Sequence, residues 1–126
     1  MAEWENNMHE MGVVMNIVSG AERLSKRYGV SSIGYVKVDI GGLSGVIPKY
    51  LTELWPLGTK DTILEGAELI IHGVPGMVKC QDCGEEYILM DHRKENLPDC
   101  PNCHGIHFSL MDGARDVLIT ELGVPE

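Results

Sequence analysis

Four cysteines fall in two tight pairs, Cys80-Gln81-Asp82-Cys83 and Cys100-Pro101-Asn102-Cys103, with 16 residues between the pairs. Two residues between cysteines let one turn aim both sulfurs at a common point. Two such turns facing each other complete a tetrahedron around Zn²⁺. Gly84 after the first pair and Pro101 within the second suit those turns. Four thiolates leave no open coordination position, so the expected site is structural rather than catalytic. Structural zinc contributes on the order of 10–16 kcal/mol of apparent binding free energy, more than a short loop-rich segment could draw from its own core.

Other chemistries use the same spacing. A redox dithiol is one. A rubredoxin-like iron site is another, since Cys-x-x-Cys-Gly and Cys-Pro-x-Cys are also rubredoxin-like turns. Against iron, His104 stands where the second turn would carry glycine, and the aromatic core of a rubredoxin is missing. A zinc ribbon that reads nucleic acid is the third rival. Residues 77–111 set Lys79, Arg93 and Lys94 against Asp82, Glu85, Glu86, Asp91, Glu95 and Asp99, the wrong sign for tracking phosphates.

The second chemical feature is Met8-His9-Glu10, an imidazole and a carboxylate at the expected head of a helix, where backbone nitrogens lack partners. Taken alone the signal is weak, and the segment reads first as a solvated helix end with Glu10 favouring the positive dipole. Of the other histidines, His72 falls on a strand face and reads as structural or surface. His104 and His107 follow the last cysteine closely enough to tune the zinc site or touch a second metal ion, and His92 is a weaker candidate.

These residues need a scaffold. Apolar residues recur at Met11, Val14, Met15 and Val18, and at Ile17, Ala21, Leu24 and Tyr28, which predicts an amphipathic helix from Met8 to Tyr28 closed by Gly29. Val36, Val38 and Ile40 alternate with Lys37 and Asp39 as in a half-buried strand that ends at Gly41-Gly42. Pro48 opens a short second helix whose Leu51, Leu54 and Trp55 share a face, with Pro56 and Gly58 expected to break it. A second strand runs from Ala67 to His72 and stops at Gly73-Val74-Pro75-Gly76, and a third is expected between Arg115 and Leu122. The fold expected is α+β, with two helices packed on a three-stranded sheet and a zinc-ribbon module inserted. The α/β module takes residues 8–74 and 112–126, the ribbon takes residues 75–111, and residues 1–7 form a flexible leader.

Composition limits the partners. Hydrophobic residues make up 44% and charged residues 23%, as in a folded soluble protein, and the formal net charge of −9 disfavours nucleic acid. No apolar run approaches about 18 residues and no signal-like start is present, so a cytoplasmic protein without membrane contact is expected. No phosphate-cradling loop with lysine or activated nucleophile beside a base marks it as an enzyme.

Read together, several blocks carry a resemblance. Met8-His9-Glu10-Met11-Gly12-Val13-Val14, then Val38-Asp39-Ile40-Gly41-Gly42-Leu43-Ser44-Gly45-Val46-Ile47-Pro48, then Glu65-Gly66-Ala67-Glu68-Leu69 and the cysteine pairs resemble the HypA/HybF hydrogenase nickel-incorporation family in order and spacing, from Met8 to about Leu122. The resemblance implies a nickel metallochaperone that carries Ni²⁺ at Met8, His9 and Glu10 and holds structural Zn²⁺ at Cys80, Cys83, Cys100 and Cys103. It implies delivery to the large subunit of a hydrogenase, with a HypB-type GTPase as partner and urease maturation factors as further candidates. In that family the chain starts at the Met-His-Glu, whereas seven residues precede Met8 here. Either the functional chain starts at Met8 or the ligand set is rearranged. The readings left open beside it are a zinc-ribbon docking module without nickel and a rubredoxin-like electron carrier.

Overall fold

In a computed structural model of the chain, residues 3–89 and 99–125 are described, with side chains from residue 9 onward. Met8 is thus described by its backbone alone, and Met1, Ala2 and His92 lie outside the described residues. The elements are α1 (Glu3–Tyr28), β1 (Tyr35–Gly41), α2 (Pro48–Thr59), β2 (Glu68–Val74), β3 (Met77–Cys80), β4 (Glu86–Ile88), β5 (Phe108–Leu110) and β6 (Val117–Gly123). The fold is α+β. One three-stranded sheet has the order β2-β1-β6 and a second has the order β4-β3-β5, inserted in the chain between β2 and β6.

The chain divides into two compact units, one of Met1–Val38, Val46–His72 and Leu118–Glu126, the other of Asp39–Gly45 and Gly73–Val117. In the first, α1 buries Val14, Ile17, Val18 and Ala21, a narrow arc at the three-to-four spacing that periodicity predicts. Met15 and Tyr28, expected on that face, are 46% and 74% exposed. Met15 stands about 100° round the helix from Val14, outside the arc, and Tyr28 is the last helical residue. Gly29, at φ +71°, ends the helix, and the Val30 amide donates to the Ser25 carbonyl at 2.8 Å.

Two helix boundaries differ from the expected ones. Helix α1 begins at Glu3, before the first apolar repeat, because Glu3-Trp4-Glu5 contains no breaker and places acids in the first turn. Helix α2 runs through Pro56 to Thr59. Proline lacks only the amide that would donate one turn back, to the Thr52 carbonyl, and the Thr59 hydroxyl separately ties the end of the helix to the Trp55 carbonyl at 2.8 Å. Leu51 and Trp55 are the buried anchors of α2, and the Trp55 indole N–H donates to the Ala67 carbonyl at 2.9 Å.

In the second unit, β3 pairs antiparallel with β4 and with β5, with Val78 opposite both Tyr87 and Leu110. Its core is small: Val78, Cys80, Tyr87, Leu89 and Cys100, with Leu43 and Phe108 against it. Residues 39–45 fold with this unit. The Leu43 amide donates to the Ala114 carbonyl at 2.7 Å and the Gly42 amide to the Val74 carbonyl at 2.8 Å. Gly41 admits no side chain, since a Cβ there would lie 2.3 Å from the Gly113 carbonyl oxygen. No helix among the described residues is long and apolar enough to cross a membrane.

Candidate metal centre

The two cysteine turns repeat one backbone design at an offset of twenty residues. In the first, the Gly84 amide donates to the Cys80 carbonyl at 2.9 Å and the Cys80 amide donates to the Glu85 carbonyl at 2.8 Å. In the second, the His104 amide donates to the Cys100 carbonyl at 2.9 Å and the Cys100 amide to the Gly105 carbonyl at 3.0 Å. Both turns close on a left-handed residue, Gly84 at φ +83° and His104 at φ +63°. His104 therefore occupies the position that glycine fills in the sister turn.

The turns bring the four sulfurs together, all within 4.8 Å of one another. Cys80 Sγ lies 3.6 Å from Cys103 Sγ, and Cys83 Sγ lies 3.5 Å from Cys100 Sγ. Tetrahedral zinc with Zn–S near 2.3 Å requires sulfurs about 3.8 Å apart, so the array fits that ion. Backbone amides support it: Asn102 N–H points at Cys100 Sγ and Gly105 N–H at Cys103 Sγ, each at 3.4 Å. In each pair one sulfur belongs to a buried residue, Cys80 or Cys100, and the other to an exposed one, Cys83 or Cys103.

Proton affinities diverge across the cluster. The Asn102 side chain and then the Glu85 amide push the Cys83 thiol down to about 7. The Gly105 amide favours the Cys103 thiolate, but hydrogen bonding with Cys80 and Cys83 and partial desolvation override it and push that thiol up to about 12. Sulfurs this close cannot all carry charge without a cation among them, and a divalent metal removes that conflict while releasing protons.

His104 and His107 engage carboxylates. His104 Nδ1 lies 3.0 Å from Asp99 Oδ2 and His107 Nδ1 lies 3.6 Å from Asp82 Oδ2, all four side chains at least half exposed. The left-handed backbone is strained for any residue with a Cβ, and an exposed imidazole–carboxylate pair returns little. His104→Gly is therefore expected to stabilise the cysteine unit by about 0.5–1 kcal/mol, read as greater resistance to a chelator. A loss of stability would show that the imidazole supports the site.

The Met8-His9-Glu10 segment lies in the first unit. With the helix starting at Glu3, it occupies the second turn of α1 rather than its head, so its amides fall within the helical ladder. The His9 side chain is 57% exposed and that of Glu10 only 2%. The Ile47 amide donates to Glu10 Oε2 at 2.6 Å, and His9 Nδ1 lies 3.3 Å from Glu10 Oε1. Ile47 is the N-cap residue of α2 and its own side chain makes no capping bond, so Glu10 supplies from α1 what a capping box supplies locally. Sequence reasoning placed Glu10 beside the imidazole but missed Ile47, because no local pattern announces a cap that comes from 37 residues away. His72 is exposed on β2.

Comparison with known proteins gives one consistent answer. The family described as hydrogenase/urease nickel incorporation, metallochaperone, hypA matches residues 8–124. A hydrogenase maturation factor HypA of Chloroflexus aurantiacus is 40% identical over 118 residues, spanning 94% of this chain and all of that protein. One from Geobacter metallireducens is 33% identical over 117 residues, 93% of this chain and 99% of that one. The solution structure of the Ni metallochaperone HypA from Helicobacter pylori superposes with a TM-score of 0.64 at 17% identity, over 91% of this chain and 96% of that one, a likeness of fold.

Proposed function

Because the chain belongs to the HypA family of hydrogenase and urease nickel-incorporation metallochaperones, we propose that it binds Ni²⁺ at Met8-His9-Glu10 and delivers it to the large subunit of a [NiFe]-hydrogenase. The observation that carries this is the register of the family match, which starts at Met8 and so puts His9, an exposed imidazole, at the second matched position. The His9 amide nitrogen and Nδ1 belong to one side chain and its own backbone, and together they close a chelate ring around a metal that accepts planar nitrogen ligands, as Ni²⁺ does. A free amine on Met8 extends the same plane when Met8 is the first residue.

Cys80, Cys83, Cys100 and Cys103 hold Zn²⁺ as a structural ion in the unit of Asp39–Gly45 and Gly73–Val117, and the other unit carries the nickel-binding segment. The protein works in the cytoplasm without chemistry of its own. A HypB-type GTPase supplies the nucleotide-driven step, and urease maturation factors are a second outlet for the metal.

Calorimetric nickel titration of zinc-loaded protein tests this, comparing residues 1–126, a chain starting at Met8, and His9→Ala. The Met8 chain is expected to bind one nickel. His9→Ala should cost more than the roughly 10–100-fold that loss of an outer hydrogen-bond partner costs a metal site. The long chain then reports whether helix α1 must open at Glu3–Asn7 to free the His9 amide. If none of the three binds nickel better than an unrelated acidic protein, the nickel reading falls and a zinc-stabilised docking module takes its place.

A further inference from the structure

The C-terminal half of α1 carries a feature that metal binding does not use. Ser25 is 97% buried, counted from its 3% exposure, yet its hydroxyl has no hydrogen-bond partner among the described residues. A helical serine buried in this way ordinarily bonds back to a carbonyl of the preceding turn, and this one does not. Ser25 lines two concavities. One is a cavity of about 190 Å³ walled by apolar groups, among them Leu24, Tyr28, Ile33, Leu122 and Val124. The other is an open groove of about 450 Å³ bordered by Arg23, Lys26 and Glu22.

The rim combines apolar surface with positive charge. Tyr28 is 74% and Val124 60% exposed, a large cost in water for two residues flanking one cavity. Arg23, Lys26 and Arg27 are three of the chain's ten Lys and Arg, gathered in five residues of a protein with a formal net charge of −9. Basic residues suit a helix C-terminus, which accounts for their position but not for the cavity and orphan hydroxyl beside them.

We propose that this flank of α1 is a docking groove for an acidic, apolar segment of a protein partner. An aliphatic or aromatic side chain of the segment fills the cavity, and its carboxylates face Arg23 and Lys26. A protein segment fits better than an anionic membrane surface. The cavity is concave and sized for one side chain, a shape that a flat lipid surface does not fill. Ser25 stands 16 residues from His9 on the same helix, about 24 Å along its axis, so a partner can dock here without touching the proposed nickel ligands.

The test selects from a random dodecapeptide display library on the full chain, then synthesises the enriched peptide. Expected are leucine, isoleucine or phenylalanine flanked by Asp and Glu, ¹⁵N shift changes confined to Leu24–Val30 and Leu122–Val124, and binding that weakens as salt is raised. The exposed double variant Arg23→Glu, Lys26→Glu should weaken the peptide by about tenfold or more, roughly 1.4 kcal/mol per decade, and Val124→Glu, at an exposed position on the edge of the cavity, should weaken it independently. The nickel isotherm of both variants should match that of the parent, which separates this proposal from the nickel reading. Enrichment of neutral or basic peptides, shifts mapping elsewhere, tight binding to phosphatidylglycerol vesicles, or self-association through this face that excludes the peptide would each overturn it.

Discussion

Chelating the metal from the four cysteines, or replacing Cys100 with serine, is expected to unfold the cysteine-bearing unit while the helical signal of the protein survives. The unit has little else to hold it. Of the five buried residues in its core, two are Cys80 and Cys100 of the four-cysteine cluster. Its strands are four, three and three residues long, at the short end of the usual range. A bound structural zinc ion contributes on the order of 10–16 kcal/mol, larger than a typical domain's net stability of about 5–15 kcal/mol. Cys80→Ser and Cys100→Ser should be the severest variants because they bury an unpartnered hydroxyl in the core, and Cys83→Ser and Cys103→Ser should be milder. Both helices belong to the other unit, so far-UV dichroism at helical wavelengths should change little. The amide resonances of Val78 and Leu89 should collapse into the unfolded envelope on chelation. Retained dispersion at those two residues would mean that the apolar core, and not the metal, folds the unit.

The cysteine pairs were legible because a metal site made of two identical turns is a local pattern: spacing fixes each turn, and the metal joins them. Helices and strands were legible where periodicity governs, as at Val14, Ile17, Val18 and Ala21 on α1 and at Val36, Val38 and Ile40 on β1. Reading failed where tertiary context overrules a local signal. Pro56 was taken as a breaker, yet α2 runs on to Thr59, because a proline removes a single amide donor and the Thr59 hydroxyl anchors the helix end to the Trp55 carbonyl. Residues 39–45 were assigned with the strand they follow, but Leu43 belongs to the cysteine core through contacts with residues more than thirty positions away. His104 was read as a departure from the glycine of a rubredoxin-like turn. The backbone takes the left-handed shape all the same, because histidine tolerates it better than most residues.

Glu10 should separate into two roles when it is substituted, and the two substitutions differ in what they remove. Its carboxylate is buried and committed on both oxygens, one to the Ile47 amide at 2.6 Å and one toward His9 Nδ1 at 3.3 Å. A buried charge placed at the start of α2 is favoured by the helix dipole and by the amide it accepts from, which is reason enough for its position without any metal. Glu10→Ala leaves the Ile47 N–H without its partner and opens space beside it, an expected loss of about 2–4 kcal/mol in thermal or denaturant unfolding. Glu10→Gln keeps an acceptor oxygen for Ile47 and should cost roughly 1 kcal/mol. The contact of Glu10 Oε1 with His9 Nδ1 gives way when that nitrogen takes nickel, so on this account Glu10 is not a ligand and Glu10→Gln should retain the parent's nickel d–d absorption band with an affinity within about tenfold of the parent's, roughly 1.4 kcal/mol at most. A shifted band together with a loss as deep as that of His9→Ala would make the carboxylate a ligand. The Ile47 bond would then have to break when nickel binds, and the N-terminus of α2 would be the element that senses the cargo.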